Sequence, residues 1–410
     1  MNWLGSLGLE VVPFWTIVAE QRDLGGTQDE LLSLSAEHGL RHRVLGEGRA
    51  ASEDLVAYKR VLRHDLVINK LSARDGAIAV SEIEGIVSPA YWVFGIDTMR
   101  FAPRFLHYLL RSAPYQAEIA RRSKSMPPAQ FDLPRDQLRT LPIPTVPLDE
   151  QRRIADFLDT ETTHLDAIVR TRSAQAARVS ERAQAVLDVT LSEVAASHGS
   201  LPLRRELRAI EQGVSPQCES RLAGLDELGV LKLSAVNSGQ YLEDENKALP
   251  EGVTGDRRYE VRSGDLLMSR ANTPERVGDV AFVRETRPGL LLPDLIYRLT
   301  LERPSDAEFV ATALRSTRVR ALLSVTARGT SQSMVKLRGE DIAALPIPAA
   351  PQVDRDHAVQ TIREADETAH RLRNRISTGE ALLRERRQAL ITAAVTGQLD
   401  VTTARSVDAQ

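Results

Sequence analysis

The chain has one cysteine, Cys218, in 410 residues. That excludes a disulfide scaffold and any cysteine-built zinc site, and it fits a reducing cytoplasm. No run of 18 apolar residues exists, and Met1-Asn2-Trp3-Leu4-Gly5 has neither the charged nor the apolar region of a signal peptide. A cytoplasmic protein with no membrane partner is therefore expected. Aromatic residues are sparse at 4%, and the net charge of −3 lacks the strong basic excess typical of nucleic-acid binders. What the chain does have is length and apolar content. At 410 residues and 42% hydrophobic it is too long for one ordinary core and suits two to four domains.

Four residues occur twice. Leu141-Pro142-Ile143-Pro144 returns as Leu345-Pro346-Ile347-Pro348, 204 residues later. After each copy apolar residues recur every seven positions: Leu158, Leu165, Val179 and Val186 with Arg172 interrupting, then Ile362, Ala369, Ile376, Leu383 and Leu390. A repeat half as long as the chain implies duplication of one unit and a pseudo-two-fold arrangement. The seven-residue frame predicts a coiled-coil seam.

The order is domain, helix, domain, helix. Residues 1–146 and 199–350 read as similar α+β globular domains. Asp65-Leu66-Val67-Ile68-Asn69-Lys70 answers Asp265-Leu266-Leu267-Met268-Ser269-Arg270, and Ser88 to Phe94 answers Pro293 to Leu299. One helical stretch follows in each, Pro103 to Ile119 and Ala307 to Leu323. The loops differ, as two readers of different targets require. Residues 147–198 and 351–400 lack internal Pro and are rich in Ala, Leu, Arg, Glu and Gln, and Gly397 supplies a C-cap. The shared frame predicts two long antiparallel coiled-coil helices, roughly 70 Å each at ~1.5 Å per residue, separating the two domains. Residues 401–410 are expected to form a disordered tail.

Charge is distributed unevenly. Between Phe309 and Gly339 stand Arg315, Arg318, Arg320, Arg328, Lys336 and Arg338 with no acid, and the first half carries a similar run before its Leu-Pro-Ile-Pro. One such run is ordinarily a solvated face; its recurrence points to function.

The junction Leu141-Pro142-Ile143-Pro144 with Pro147-Leu148-Asp149-Glu150-Gln151-Arg152-Arg153-Ile154 resembles that of DNA specificity subunits of type I restriction-modification enzymes. The second junction and the ending Leu383-Arg384-Glu385-Arg386-Arg387-Gln388-Ala389-Leu390 are similar to the same family. One departure is that Glu150-Gln151 becomes Val353-Asp354 in the second copy, so identical caps are not expected. The resemblance implies a non-catalytic, sequence-specific subunit that reads a bipartite, asymmetric double-stranded DNA target. It also implies two modification methyltransferase subunits docked on the helices and restriction (translocase-nuclease) subunits joining them. S-adenosylmethionine, ATP and magnesium are then expected on the partners, with no cofactor or metal in this chain.

Phosphates are held by Lys, Arg and small donors, and bases are read by Arg, Lys, Asn, Gln and Ser/Thr. The candidates are Asn69, Lys70, Arg74, Arg122, Lys124 and Ser125 in the first domain. In the second they are Arg270, Asn272, Arg328, Thr330, Ser331, Gln332 and Lys336. Lys70 and Arg270 stand at matching strand ends. Catalytic signatures are missing: there is no Walker-type loop, no Asn-Pro-Pro-Tyr/Phe tetrapeptide and no glycine fingerprint. His38 and His42 have the spacing of a zinc helix, but Gly39 replaces the glutamate. Two other readings stand beside the favoured one: a single-chain nuclease using Asp226, Glu245 and Lys247, and a coiled-coil adaptor for proteins only.

Overall fold

The computed structural model describes residues 10–26, 29–36, 39–44, 55, 57–126, 130–331 and 334–402. The expected tail from 403 onward, Gln332 and His38 lie outside them. The chain divides into two compact units, Met1–Ser173 with Ser377–Gln410, and Ala174–Ile376. Each holds one globular domain and one half of each long helix.

In the first unit a four-stranded antiparallel sheet runs in the order Val18–Glu20, Tyr91–Ile96, Leu66–Asn69, Ile78–Val80. The second unit repeats it with Leu207–Gln212, Ile296–Leu301, Leu266–Ser269 and Val280–Phe282. The central strands are apolar without alternation because both faces are covered. Leu66 and Ile68 join the core beneath the helices, while Val67 joins a second cluster with Val61, Val87 and Val93. All three are fully buried, worth about 1.5–3 kcal/mol each. Leu266 and Met268 against Leu267 divide in the same way.

The duplicated tetrapeptide forms a short strand that closes each domain. Val12 pairs with Ile143 and Leu201 with Ile347, and the Phe14 and Leu203 N–H groups each donate to the leucine carbonyl before it at 2.8 Å. Outside this shared skeleton the units differ. The second has a three-stranded sheet of Asn246–Ala248, Gly229–Leu231 and Leu290–Leu291, whereas the first has separate pairs such as Leu32–Ser35 with Gly39–His42.

Each expected single helix is two. Pro103–Arg111 and Ala113–Arg122 are separated by an extended Ser112, whose hydroxyl donates to the Leu109 carbonyl. Pro114 lies in the first turn of the second piece, where its missing N–H costs nothing. In the second unit Ala307–Leu314 and Thr317–Thr326 break at Ser316, which caps the latter by accepting from the Val319 N–H.

The long helices span Leu148–His198 and Gln352–Val395. Both are followed by a left-handed glycine, Gly199 (φ 76°) and Gly397 (φ 70°). Within each unit their halves run antiparallel. Ser173 donates to Glu380 and Arg387 meets Asp166 in the first; Arg373 meets Ser180 and His198 meets Asp354 in the second. The seven-residue frame captures only part of the buried face. Leu158, Leu165, Ile362 and Ala369 are buried, but Val179, Val186, Ile376, Leu383 and Leu390 are half-buried. Leu187, Leu191, Ile391, Ala394 and Val395 lie outside the frame and are buried, because the helix ends also pack on the globular cores. Among the described residues no helix is long and apolar enough to cross a membrane.

Candidate nucleic-acid interface

The first unit gathers its candidates around one hairpin, Lys124–Met126 paired with Gln130–Asp132. The Leu133 N–H beyond it donates to the Lys70 carbonyl at 3.1 Å. Lys70 Nζ lies 3.4 Å from Asp132, and the Arg74 guanidinium stacks 3.8 Å from the Phe131 ring. Asn69 ends its strand and accepts from the Leu71 N–H, while Lys124 and Ser125 are exposed.

Arg122 belongs elsewhere. It donates to Glu118, to the Gln137 carbonyl and to Thr140, and is only 13% exposed. Hydrogen bonds from Arg121 and then Arg122 outweigh burial and hold the Glu118 carboxyl down at about 2. Arg122 thus ties the second short helix to the segment that leads into the tetrapeptide.

The second unit builds the counterpart as a three-stranded ribbon in the order Ala271–Asn272, Met334–Lys336, Arg328–Ser331. The Leu337 N–H donates to the Arg270 carbonyl at 2.9 Å, the equivalent of Leu133 on Lys70. Asn272, Arg328, Thr330, Ser331 and Lys336 are therefore on one ribbon, with Lys336 exposed. Arg270 is half-buried beside Tyr297 at 5.7 Å, donates to the Asp294 carbonyl, and has a buried Nε with no hydrogen-bond partner among the described residues.

Part of the basic run is scaffold. Arg315 pairs with Asp366, and Arg320 donates to the Val277 and Glu275 carbonyls. Sequence reasoning missed Trp15, 52% exposed with Arg139 5.7 Å from its ring; nothing local in the sequence marks that pairing. Glu245 accepts from Ser234 and meets Lys232, and no group of three metal-ligating side chains occurs among the described residues. His42 meets Glu30 at 2.6 Å.

The long helices are anchored in their first turns by different chemistry. Gln151 is buried, accepts from the Ala102 N–H and donates to the Arg100 and Val146 carbonyls. At the 204-residue offset its counterpart is Arg355, so the expected match of Glu150-Gln151 with Val353-Asp354 is one residue out of register. Arg355 is buried and binds Asp306, Glu206 and the Ala350 carbonyl. Burial raises the Glu206 carboxyl, but hydrogen bonds and charge from Arg355 and Arg303 leave it below its ordinary value.

No protein-family model matches the chain. Over 173 residues, 42% of its length, it is 29% identical to the Type I restriction enzyme EcoEI specificity subunit of Escherichia coli, covering 29% of that protein. Over 314 residues, 72% of its length, it is 23% identical to the EcoKI specificity subunit of Escherichia coli strain K12 and covers 65% of it. The chain thus spans less than two thirds of the length of these curated relatives. A structure solved in work on complex assembly and conformational transition of the type I R-M system shares the fold, with a TM-score of 0.63 at 15% identity over 95% of this chain and 98% of that one. With its duplicated sheet-and-helix skeleton, the chain is similar in sequence to two specificity subunits of type I restriction enzymes and shares its fold with a structure from that system.

Proposed function

We propose that this chain reads a bipartite, asymmetric duplex DNA target, one half-site per globular domain, and catalyses no step itself. The observation that carries the reading is the shared sheet edge with unlike furniture. Lys70 and Arg270 hold equivalent backbone contacts, yet a two-stranded hairpin stands beside one and a three-stranded ribbon beside the other. A β-ribbon of this kind is one of the elements that enters a DNA groove. Lys124, Ser125, Arg74 and Lys336 offer exposed donors for phosphates; Asn69, Lys70 and Asn272 flank them. Arg328, Thr330 and Ser331 extend the ribbon. The long helices set the spacing and dock two methyltransferase subunits, and restriction (translocase-nuclease) subunits complete the complex. S-adenosylmethionine, ATP and magnesium act on those partners. A chain of net charge −3 relies on such partners for affinity.

The test is to map modified adenines in DNA from cells carrying the complete system. A two-part motif with a fixed gap is expected, and modification at a continuous or unspecific site would refute the reading. In the assembled complex, Lys124→Ala and Lys336→Ala should each lower the salt slope of binding by about one contact. Arg270→Ala, for a stacked and half-buried guanidinium, separates contact from scaffold: an unchanged slope assigns it to the scaffold.

A further inference from the structure

Each unit contains a cleft where its paired short helices meet the long-helix halves. The first is about 890 Å³ and the second about 650 Å³. They are equivalent by construction. Gln388 donates to the Arg111 carbonyl at 3.2 Å on the wall of the first, and Gln184 donates to the Arg315 carbonyl at 3.3 Å on the wall of the second. Both residue pairs lie 204 positions apart, and both carbonyls stand at the break between short helices.

Both clefts are basic. Among the described residues, the first is lined by Arg111, Arg170, Arg384 and Arg387 against one acid, Asp166. The second has five arginines, Arg284, Arg315, Arg363, Arg371 and Arg373, against Asp366 and Glu367. Two further acids pair with these arginines, Glu380 with Arg384 and Glu308 with Arg284 and Arg363, so the surplus is two positive charges in each. Apart from Arg111 and Arg315 the arginines do not sit at equivalent positions: Arg170 answers Asn374, Arg384 answers Ser180, and Arg373 answers Val169. Duplication accounts for the shared walls, but it does not account for an equal charge rebuilt from different positions. A common anionic occupant does.

The first cleft also presents a neutral donor. Burial first, then Arg111 and Arg387, drive the His107 imidazole down to about 3. Its Nδ1 accepts from the Val80 N–H, so the proton sits on the other ring nitrogen.

We propose that the two clefts are paired sockets for an acidic peptide segment presented twice, once by each copy of a two-copy protein partner. This rests on the reading above, in which two methyltransferase subunits assemble on one chain, and it says where they are held. A concavity of this volume suits a short peptide segment or a few side chains, whereas a duplex presents its phosphates on a convex rod. Two equivalent sites on one polypeptide match two identical partners, as pseudo-symmetry requires.

The test uses the full chain with the methyltransferase subunit of its own system, read by native mass spectrometry. Arg170→Glu/Arg384→Glu alters the first cleft and Arg371→Glu/Arg373→Glu the second. The wild type should carry two methyltransferase subunits, either double variant one, and the quadruple variant none. Unchanged circular dichroism and melting should show that each variant is folded. A glutamate-rich octapeptide should compete with the wild type and fail against the quadruple variant. Two subunits retained on the double variants, with affinity within twofold, would overturn the sockets while leaving the assembly intact. So would an unchanged stoichiometry accompanied by a reduced salt slope on duplex DNA, which would assign the clefts to nucleic acid. A wild type that binds no methyltransferase would overturn the underlying reading instead.

Discussion

The two units share strand order, the closing tetrapeptide strand and the break between short helices, but they fasten their helices with opposite chemistry. In the first, the neutral Gln151 meets backbone groups; in the second, Arg355 meets two buried carboxylates. A few turns later the charges reverse. Arg104 pairs with Asp156 and Asp159, whereas its counterpart Glu308 pairs with Arg363 and Arg284. Duplication kept the geometry and let the electrostatics diverge. A globular domain is therefore matched to the helix start that follows it. A domain exchanged at the Leu-Pro-Ile-Pro junction alone would put Glu308 against Asp159 and leave Glu206 and Asp306 facing a glutamine. The exchangeable module runs through the first turns of the helix.

The sharpest way to break this comparison is Arg355→Gln, which copies the first anchor into the second unit. It leaves the buried Asp306 and Glu206 with only the more exposed Arg303, and removing one partner of a buried pair costs about 3–5 kcal/mol. Urea unfolding should show that loss. Adding Asp306→Ala, the residue found at the equivalent Ala102, should recover part of it. Equal stability of Arg355→Gln and wild type would mean that the triad is dispensable.

The reversed pair is more exposed, so its effect is smaller. Arg104→Glu sets like charges against Asp156 and Asp159 and should cost about 1 kcal/mol, after allowing for solvent screening of a side chain 44% exposed. Asp159→Arg added to it recreates the order of the second unit and should restore most of the loss. A double-mutant cycle with no coupling would show that the two charges act independently.

Acid sensitivity also separates the units. Glu118 is held at about 2 in the folded chain against an ordinary 4.5, and the equivalent residue in the second unit is Leu322. A depressed carboxyl stabilises above its unfolded value, and that stability is lost as pH falls from about 4.5 toward 2. Glu118→Gln should lower stability at pH 7 by about 1–2 kcal/mol and flatten the acid limb, with the difference from wild type vanishing near pH 2. A difference that persists there would assign the effect to packing. Asp65 and Asp265 respond oppositely in both units: burial raises each above its ordinary value, so their protonation favours the folded state as pH falls.

Much of the architecture was legible because it rests on local chemistry. Runs such as Leu66-Val67-Ile68 and Leu267-Met268 read as strands, Pro147 and Pro351 marked the starts of the long helices, and Gly397 marked the end of the second. What was not legible depends on partners distant in sequence. Arg122 looks like a free cation until the Gln137 carbonyl and Thr140 are brought to it, and Arg315 looks the same until Asp366 arrives. The break at Ser112 did have a local signal, since Pro114 cannot sit inside an unbroken helix from Pro103, and the break also returns Tyr115 to the core in which it is fully buried. The ribbon beside Arg270 joins residues about 60 apart, and no periodicity signals that.

The smallest effect concerns the interruption in the seam. Arg172 breaks the apolar frame, and Gly379 is the glycine inside the C-terminal helix. The first unit brings them together: a Cβ on Gly379 would stand 2.0 Å from an Arg172 guanidinium nitrogen. The equivalent helix position in the second unit is Gln175, so only one of the two helix pairings carries this accommodation. Two terms of opposite sign decide Gly379→Ala. Replacing glycine inside a helix gains about 0.8–1 kcal/mol, while the new methyl displaces the end of a flexible side chain, at little cost if Arg172 is free to swing. The expected outcome is a small rise in melting temperature, and Arg172→Leu with Gly379→Ala should raise it further by completing the seam. A fall for Gly379→Ala alone would mean that the guanidinium is held in place, and that the polar break is kept because Arg172 is needed where it is.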